Sequence, residues 1–202
     1  MTAIPGAPTP VPAASVVVGD DGVARCPWAS GSALLAEYHD REWGQPVHGE
    51  AALYERIVLE GFQAGLSWLT ILAKRPAFRS AFADFDPDVV AAFTDERLDE
   101  LMGDAAIVRN RAKIQAARAN ARAVIALRES GGIDELVWSH RPTTALAPKD
   151  PSEVPTRTPE SEALAKALQR AGIRFIGPTS AQALMEATGM VDAHLVGCHV
   201  RG

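Results

Sequence analysis

The sequence has only two cysteines, Cys26 and Cys198, with 171 residues between them. That is too few for a disulfide-built secreted scaffold; a single disulfide, free thiols and shared metal ligation all remain open. No run of eighteen apolar residues occurs, which excludes a membrane-spanning helix. The first twenty residues lack a basic stretch followed by an apolar run and a small-residue cleavage site. No secretory leader is therefore expected, and the cytoplasm is the expected compartment. Surplus positive charge is missing too: the formal net charge is −5, unlike that of a chain that coats nucleic acid without site preference. A local basic patch remains compatible with that balance. Alternating apolar and polar residues over strand length are absent, as is any repeat of solenoid length.

What remains is a chain of 202 residues, 47% apolar, sized for one domain with a sizeable core. Residues 1–22, with Pro5, Pro8, Pro10 and Pro12, read as a flexible Pro/Ala-rich tail. Residues 23–202 read as one all-α domain. Ser32 opens a first helix to His39, and a strongly apolar one covers Glu50 to Leu66. Ser67 to Lys74 follows, with Pro76 as a restart. Asp86-Pro87 and Thr94 open two short helices. A long one from Ile107 to Ser130 stops at Gly131-Gly132. Thr158-Pro159 and Pro178-Thr179 open the last two, and the proline-rich segment 141–155 reads as a loop.

Three groupings carry possible chemistry. Cys26 and His39 bracket the first helix, while His194 and Cys198 have the i, i+4 spacing of one helical face. Two thiolates and two imidazoles suit a closed tetrahedral zinc site tying the two ends of the domain together. Ordinary buried thiols fit the spacing equally well. Glu60 falls within the apolar stripe of Leu53, Ile57 and Ala64. It is either an ion-pair partner of Arg56, one turn away, or an acid facing an apolar pocket. Tyr38, Trp28, Trp43 and Trp68 lie near it in sequence, and aromatic planes around a carboxylate suit a flat heteroaromatic ligand. For Trp28 and Trp43 an ordinary core position is the simpler expectation. Finally, Arg109, Arg111, Lys113, Arg118, Arg122 and Arg128 occur without an intervening acid. They form either a solvated face or a phosphate-neutralising one.

The runs RCPWAS (Arg25 to Ser30), EYHDREWGQP (Glu37 to Pro46), LEGFQAGLSWLTIL (Leu59 to Leu72), VRNRAKIQAARANARAV (Val108 to Val124) and HLVGC (His194 to Cys198) together resemble the DNA-3-methyladenine glycosylase I family. The resemblance covers about residues 25–199. It implies a helix-hairpin-helix glycosylase-like domain with a zinc-bound region joining the N- and C-terminal segments. It implies hydrolysis of the N-glycosidic bond of 3-methyladenine in double-stranded DNA by base flipping, without strand cleavage, by a monomer that needs no membrane. Carried over residue by residue, it implies structural Zn²⁺ on Cys26, His39, His194 and Cys198, and Glu60 as the base-recognising and catalytic carboxylate. Tyr38 and Trp68 would sandwich the base. The segment Leu101 to Ile114 would hold the DNA backbone, with Arg109, Arg111 and Lys113 as DNA contacts.

The sequence departs from the family pattern in having Leu35 where a further aromatic can stand, and Ala106 and Ala112 where hairpin glycines are usual. It also ends at Gly202, so no C-terminal extension is expected to support the metal. Many superfamily relatives place a catalytic Asp after the hairpin, whereas from Ala105 to Ile133 this sequence has no Asp and only Glu129 as an acid. A cationic base leaves as a neutral one, so little acid catalysis is required. A non-catalytic damage-binding protein and a zinc-stabilised interaction module without nucleic-acid function stay open as rivals.

Overall fold

The computed structural model describes residues 16–202. They form nine α-helices and one two-stranded ribbon: β1 (Val17–Val18), β2 (Ala24–Arg25), α1 (Ala33–Arg41), α2 (Glu50–Gln63), α3 (Trp68–Ala81), α4 (Pro87–Ala91), α5 (Asp95–Gly103), α6 (Arg111–Leu127), α7 (Gly132–Trp138), α8 (Pro159–Arg170) and α9 (Pro178–Ala187). The helix starts follow from local chemistry. The side chains of Ser32, Ser67, Asp86, Thr94 and Asn110 each accept a backbone N–H of the helix they open. Thr158 and Ser161 form a reciprocal capping box at α8.

α2 is the axis of the molecule. Nine of its fourteen residues are buried, on every side of the helix, so neighbours must surround it. It packs against α6, α9, α7 and α3. Phe62, Phe78, Phe82 and Phe85 form a contiguous aromatic core beside it. The Tyr54 hydroxyl donates to the Ala117 carbonyl at 2.8 Å, which ties α2 to α6 inside that core.

Four expectations need correction. Pro76 does not restart the chain, because α3 runs through it. The one N–H it removes is outweighed by burial of Ile71, Leu72 and Phe78 on either side. Gly131-Gly132 does end α6, but with φ of 94° and 83° it turns the chain straight into α7, which was not expected. The tail boundary at residue 22 falls inside the β1–β2 ribbon, where Val17 pairs with Arg25; the proline-rich residues 1–15 lie outside the described residues. Finally, 191–202 is not helical. Gly197, at φ 94°, breaks the i, i+4 geometry between His194 and Cys198.

Candidate base pocket and metal cluster

Glu60 lies on α2 with 6% of its surface exposed. It opens into a cavity of about 250 Å³ lined also by Tyr38, Trp68, Trp28, Trp43 and Glu186. Among the described residues no side chain makes an ion pair with Glu60. Arg56 turns instead to Glu42, 3.1 Å away, and Glu42 is held at 2.6 and 2.7 Å by both guanidinium nitrogens of Arg75. The one-turn spacing therefore did not decide the partner of Arg56. The Arg56 guanidinium lies 5.7 Å from the centre of the Tyr38 ring and braces that wall.

Burial is the main cause that pushes the Glu60 carboxyl up, to about 8; the Arg56 charge opposes this and the Glu186 charge adds to it. In the empty pocket Glu60 is thus mostly protonated at neutral pH. A cation bound against it would reverse that preference.

Tyr38 and Trp68 have ring centres 5.4 Å apart, tilted at 49°. A ring stacked between two planes needs them about 7 Å apart, so these two do not sandwich a base. They form one corner of the pocket. Trp28 and Trp43, 5.0 Å apart edge to face, form another. Both had been expected in the core; the signal that could have found them is the crowding of three of four tryptophans between residues 28 and 68. Glu186 and Gln63 also line the pocket, and nothing in their spacing marked them. Leu35 is not among the lining residues.

On the far side of Trp43 the segments that carry Cys26 and Cys198 meet. Ligand atoms of Cys26, His39 and Cys198 gather within 4.8 Å of one another, with Cys198 Sγ 3.4 Å from His39 Nε2. His194 stands beside them, its ring centre 5.1 Å from that of His39. Each imidazole is fixed by a carboxylate: His39 Nδ1 lies 2.8 Å from Asp40 Oδ1, and His194 Nδ1 lies 2.8 Å from Asp192 Oδ1. Arg25 holds Asp40 from behind at 2.7 Å. Such carboxylate–histidine pairs leave Nε2 to face a metal. His199 borders the cluster as well: its Nδ1 meets the Ala24 carbonyl at 2.9 Å and its Nε2 lies 3.4 Å from Asp40 Oδ1. With His39 and Asp40 it forms a second gathering of ligand atoms within 4.8 Å of one another. Burial pushes the Cys26 thiol up to about 12 and the two histidines down, so only a cation would hold Cys26 as a thiolate ligand.

Three buried side-chain polar atoms lack a partner among the described residues: Arg56 Nη1, Trp68 Nε1 and His194 Nε2. Native proteins leave few such atoms. Here two belong to residues around the Glu60 cavity and the third to the Cys–His cluster.

The basic segment resolves unevenly. Lys113 is buried, and its ammonium donates to the carbonyls of Phe62 (2.9 Å) and Ala64 (2.6 Å) at the end of α2. Its expected contact with DNA is therefore corrected: it is an internal clamp. Lys113→Met should cost about 1–3 kcal/mol in urea denaturation by stripping two carbonyls of their donor. It should leave the salt dependence of DNA binding unchanged. Arg111 pairs with Asp99 at 2.6 Å and Arg118 with Asp95 at 2.8 Å, while Arg122 donates to the Ala91 carbonyl. These arginines brace α6 against α4 and α5. Arg109 is exposed in the α5–α6 turn and has no side-chain partner among the described residues. Neither Ala106 nor Ala112 has positive φ, so the turn forms without glycine at those positions.

Compared with known proteins, residues 28–201 match the family described as methyladenine glycosylase. The chain is 46% identical over 178 residues to DNA-3-methyladenine glycosylase 1 of Escherichia coli (strain K12), covering 86% of this chain and 95% of that protein. It is 43% identical to DNA-3-methyladenine glycosylase of Haemophilus influenzae over 86% and 96% of the two chains. A crystal structure of 3-methyladenine DNA glycosylase I superposes with a TM-score of 0.85 at 41% identity, covering 88% and 100%. The Staphylococcus aureus enzyme, solved for the structural basis of 3-methyladenine recognition, gives 0.84 at 34% identity, covering 88% and 96%.

Proposed function

The chain belongs to the methyladenine glycosylase family, and we infer from that membership a DNA-repair hydrolase that removes 3-methyladenine from alkylated DNA. Water adds to the sugar carbon as the carbon–nitrogen bond breaks, and its surplus proton passes to solvent. The bonding pair goes to the base, which leaves neutral because methylation had made it cationic. The observation that carries this reading is Glu60 in its aromatic cavity, without an ion-pair partner among the described residues.

We propose the following division of labour. The damaged nucleotide is turned out of double-stranded DNA into the cavity. Its base lies against the Tyr38–Trp68 corner with Trp28 and Trp43 opposite, and its edge meets Glu60. Because burial keeps Glu60 protonated when the pocket is empty, only a base carrying positive charge stabilises the carboxylate; unmodified adenine does not. Glu60 thus discriminates by charge and stabilises the transition state as the glycosidic bond lengthens. The Arg56–Glu42–Arg75 chain keeps Tyr38 in place.

The α5–α6 turn is proposed to hold the DNA backbone, with Arg109 on phosphate and Arg111 beside it, its pair with Asp99 being exposed. Arg109→Ala should weaken binding equally for all sequences and lower the salt slope by about 1 in a salt titration. Structural zinc on Cys26, His39, His194 and Cys198 is proposed as the fastener of the two chain ends. The three gathered donors, the orphaned His194 Nε2 and the two carboxylate-braced imidazoles fit it. Bound zinc would supply cross-linking and no chemistry at the sugar. The enzyme is proposed to act as a monomer in the cytoplasm, with the proline-rich residues 1–15 dispensable for excision. Release of free 3-methyladenine from methylated duplex DNA tests the function; binding without release would leave only a damage-binding protein.

A further inference from the structure

A second cavity, larger than the base pocket at about 380 Å³, lies behind the tryptophan wall. The two share four lining residues, Trp28, Trp43, Ala183 and Glu186, so they adjoin at that wall. Its volume lies within the range of small-molecule sites. It repeats the chemistry of the base pocket, with the same indoles as flat apolar walls and one half-buried carboxylate, Glu186. Glu186 is aligned there by Gln182, which is itself 2% exposed and donates to Glu186 Oε1 at 2.9 Å. Gln182 is fixed in turn by the Thr158 hydroxyl at 3.1 Å. The mouth is bordered by exposed Thr156 and Thr179. The base pocket, by contrast, continues through Gln63 and Trp68 towards the end of α2 that Lys113 clamps from the α5–α6 side.

We propose that this second cavity is a subsite for the excised base, a flat purine bearing an amino group. Glu186 accepts from that amino group, and the Trp28–Trp43 pair offers an aromatic wall to each cavity. The proposal rests on the reading of the first cavity as the base pocket. It places the free base on the side away from the bound DNA, so that it need not leave past the DNA. Glu186 is a base-binding residue in this scheme and takes no part in bond cleavage.

The test is calorimetric titration of the full chain with free 3-methyladenine, beside single-turnover excision from methylated DNA. Two bases per chain are expected. Thr156→Trp and Thr179→Trp, both at the exposed mouth, should each reduce this to one base and leave single-turnover excision within about twofold of the parent. Glu60→Gln should abolish the other site and keep the second. A stoichiometry of one that survives both tryptophan substitutions would overturn the subsite, as would two sites unaffected by them. Failure of excision itself would instead overturn the reading of the base pocket.

Discussion

Replacing Glu60 by Gln is expected to lower single-turnover release of 3-methyladenine by about two to three orders of magnitude, the usual effect of deleting one preorganised electrostatic partner of a transition state. The same substitution should make the free protein more stable at high pH. The folded-state pKa of Glu60 is raised from 4.5 to about 8. Below about pH 4.5 the group is protonated whether folded or unfolded. Between the two values only the folded chain holds the proton, and the stability this confers is lost as pH rises through about 8. Gln carries no such dependence. Unfolding free energies of parent and variant should therefore diverge from pH 5 to pH 9, the parent losing ground, by up to a few kcal/mol.

Activity should move the opposite way in the parent. Its kcat/KM, which reports the free enzyme, should rise with pH and level off above about 8 as the carboxylate forms. Full excision by a folded Glu60→Gln variant would remove Glu60 from the mechanism. Parallel pH dependences of stability would show that its carboxyl is not held protonated by burial. The two outcomes are separable because one reads the bound state and the other the empty pocket.

What the residues declared in advance was whatever depends on a few neighbours in sequence. Ser32, Asp86, Thr94 and Thr158 open helices because a short oxygen-bearing side chain satisfies an N–H two or three residues on. The stripe around Glu60 announced a buried acid for the same local reason. Misreadings came where a distant partner competed with a near one. Arg56 sits one turn from Glu60 but bonds Glu42, because α1 brings that carboxylate alongside. Lys113 reads as one more cation of a basic run, yet its long stem lets it reach carbonyls 49 and 51 residues away. Pro76 and Gly197 show the converse pair. One is a helix breaker overruled by packing; the other is a glycine whose φ of 94° overrules an apparent helical spacing. The proposed zinc ligands and the proposed base-reading role of Glu60 came from the ordered motifs, since spacing alone left both undecided.

Cys198→Ser is expected to take zinc from one ion per chain to none by metal analysis, and to lower the thermal midpoint by roughly 10–20 °C. The size follows from what the fastener joins. Cys26 and His39 come from the start of the described chain and His194 and Cys198 from its end, so one ion would close nearly the whole fold. Restraining a loop that long removes about 5 kcal/mol of unfolded-state freedom, and for a chain of this length each kcal/mol is worth about 2–4 °C. If the cysteines are merely small buried apolar groups, Cys26→Ser and Cys198→Ser should each cost about 1 kcal/mol, and their costs should add. If they share an ion, either substitution loses it, and the double variant should be scarcely less stable than the worse single one. Excision separates the readings further. His39 adjoins Tyr38, and Trp43 packs 4.5 Å from the His194 ring, so losing the ion should loosen two walls of the base pocket and weaken substrate binding. Equal zinc content in parent and Cys198→Ser, with additive destabilisation, would leave the two chain ends joined by packing alone.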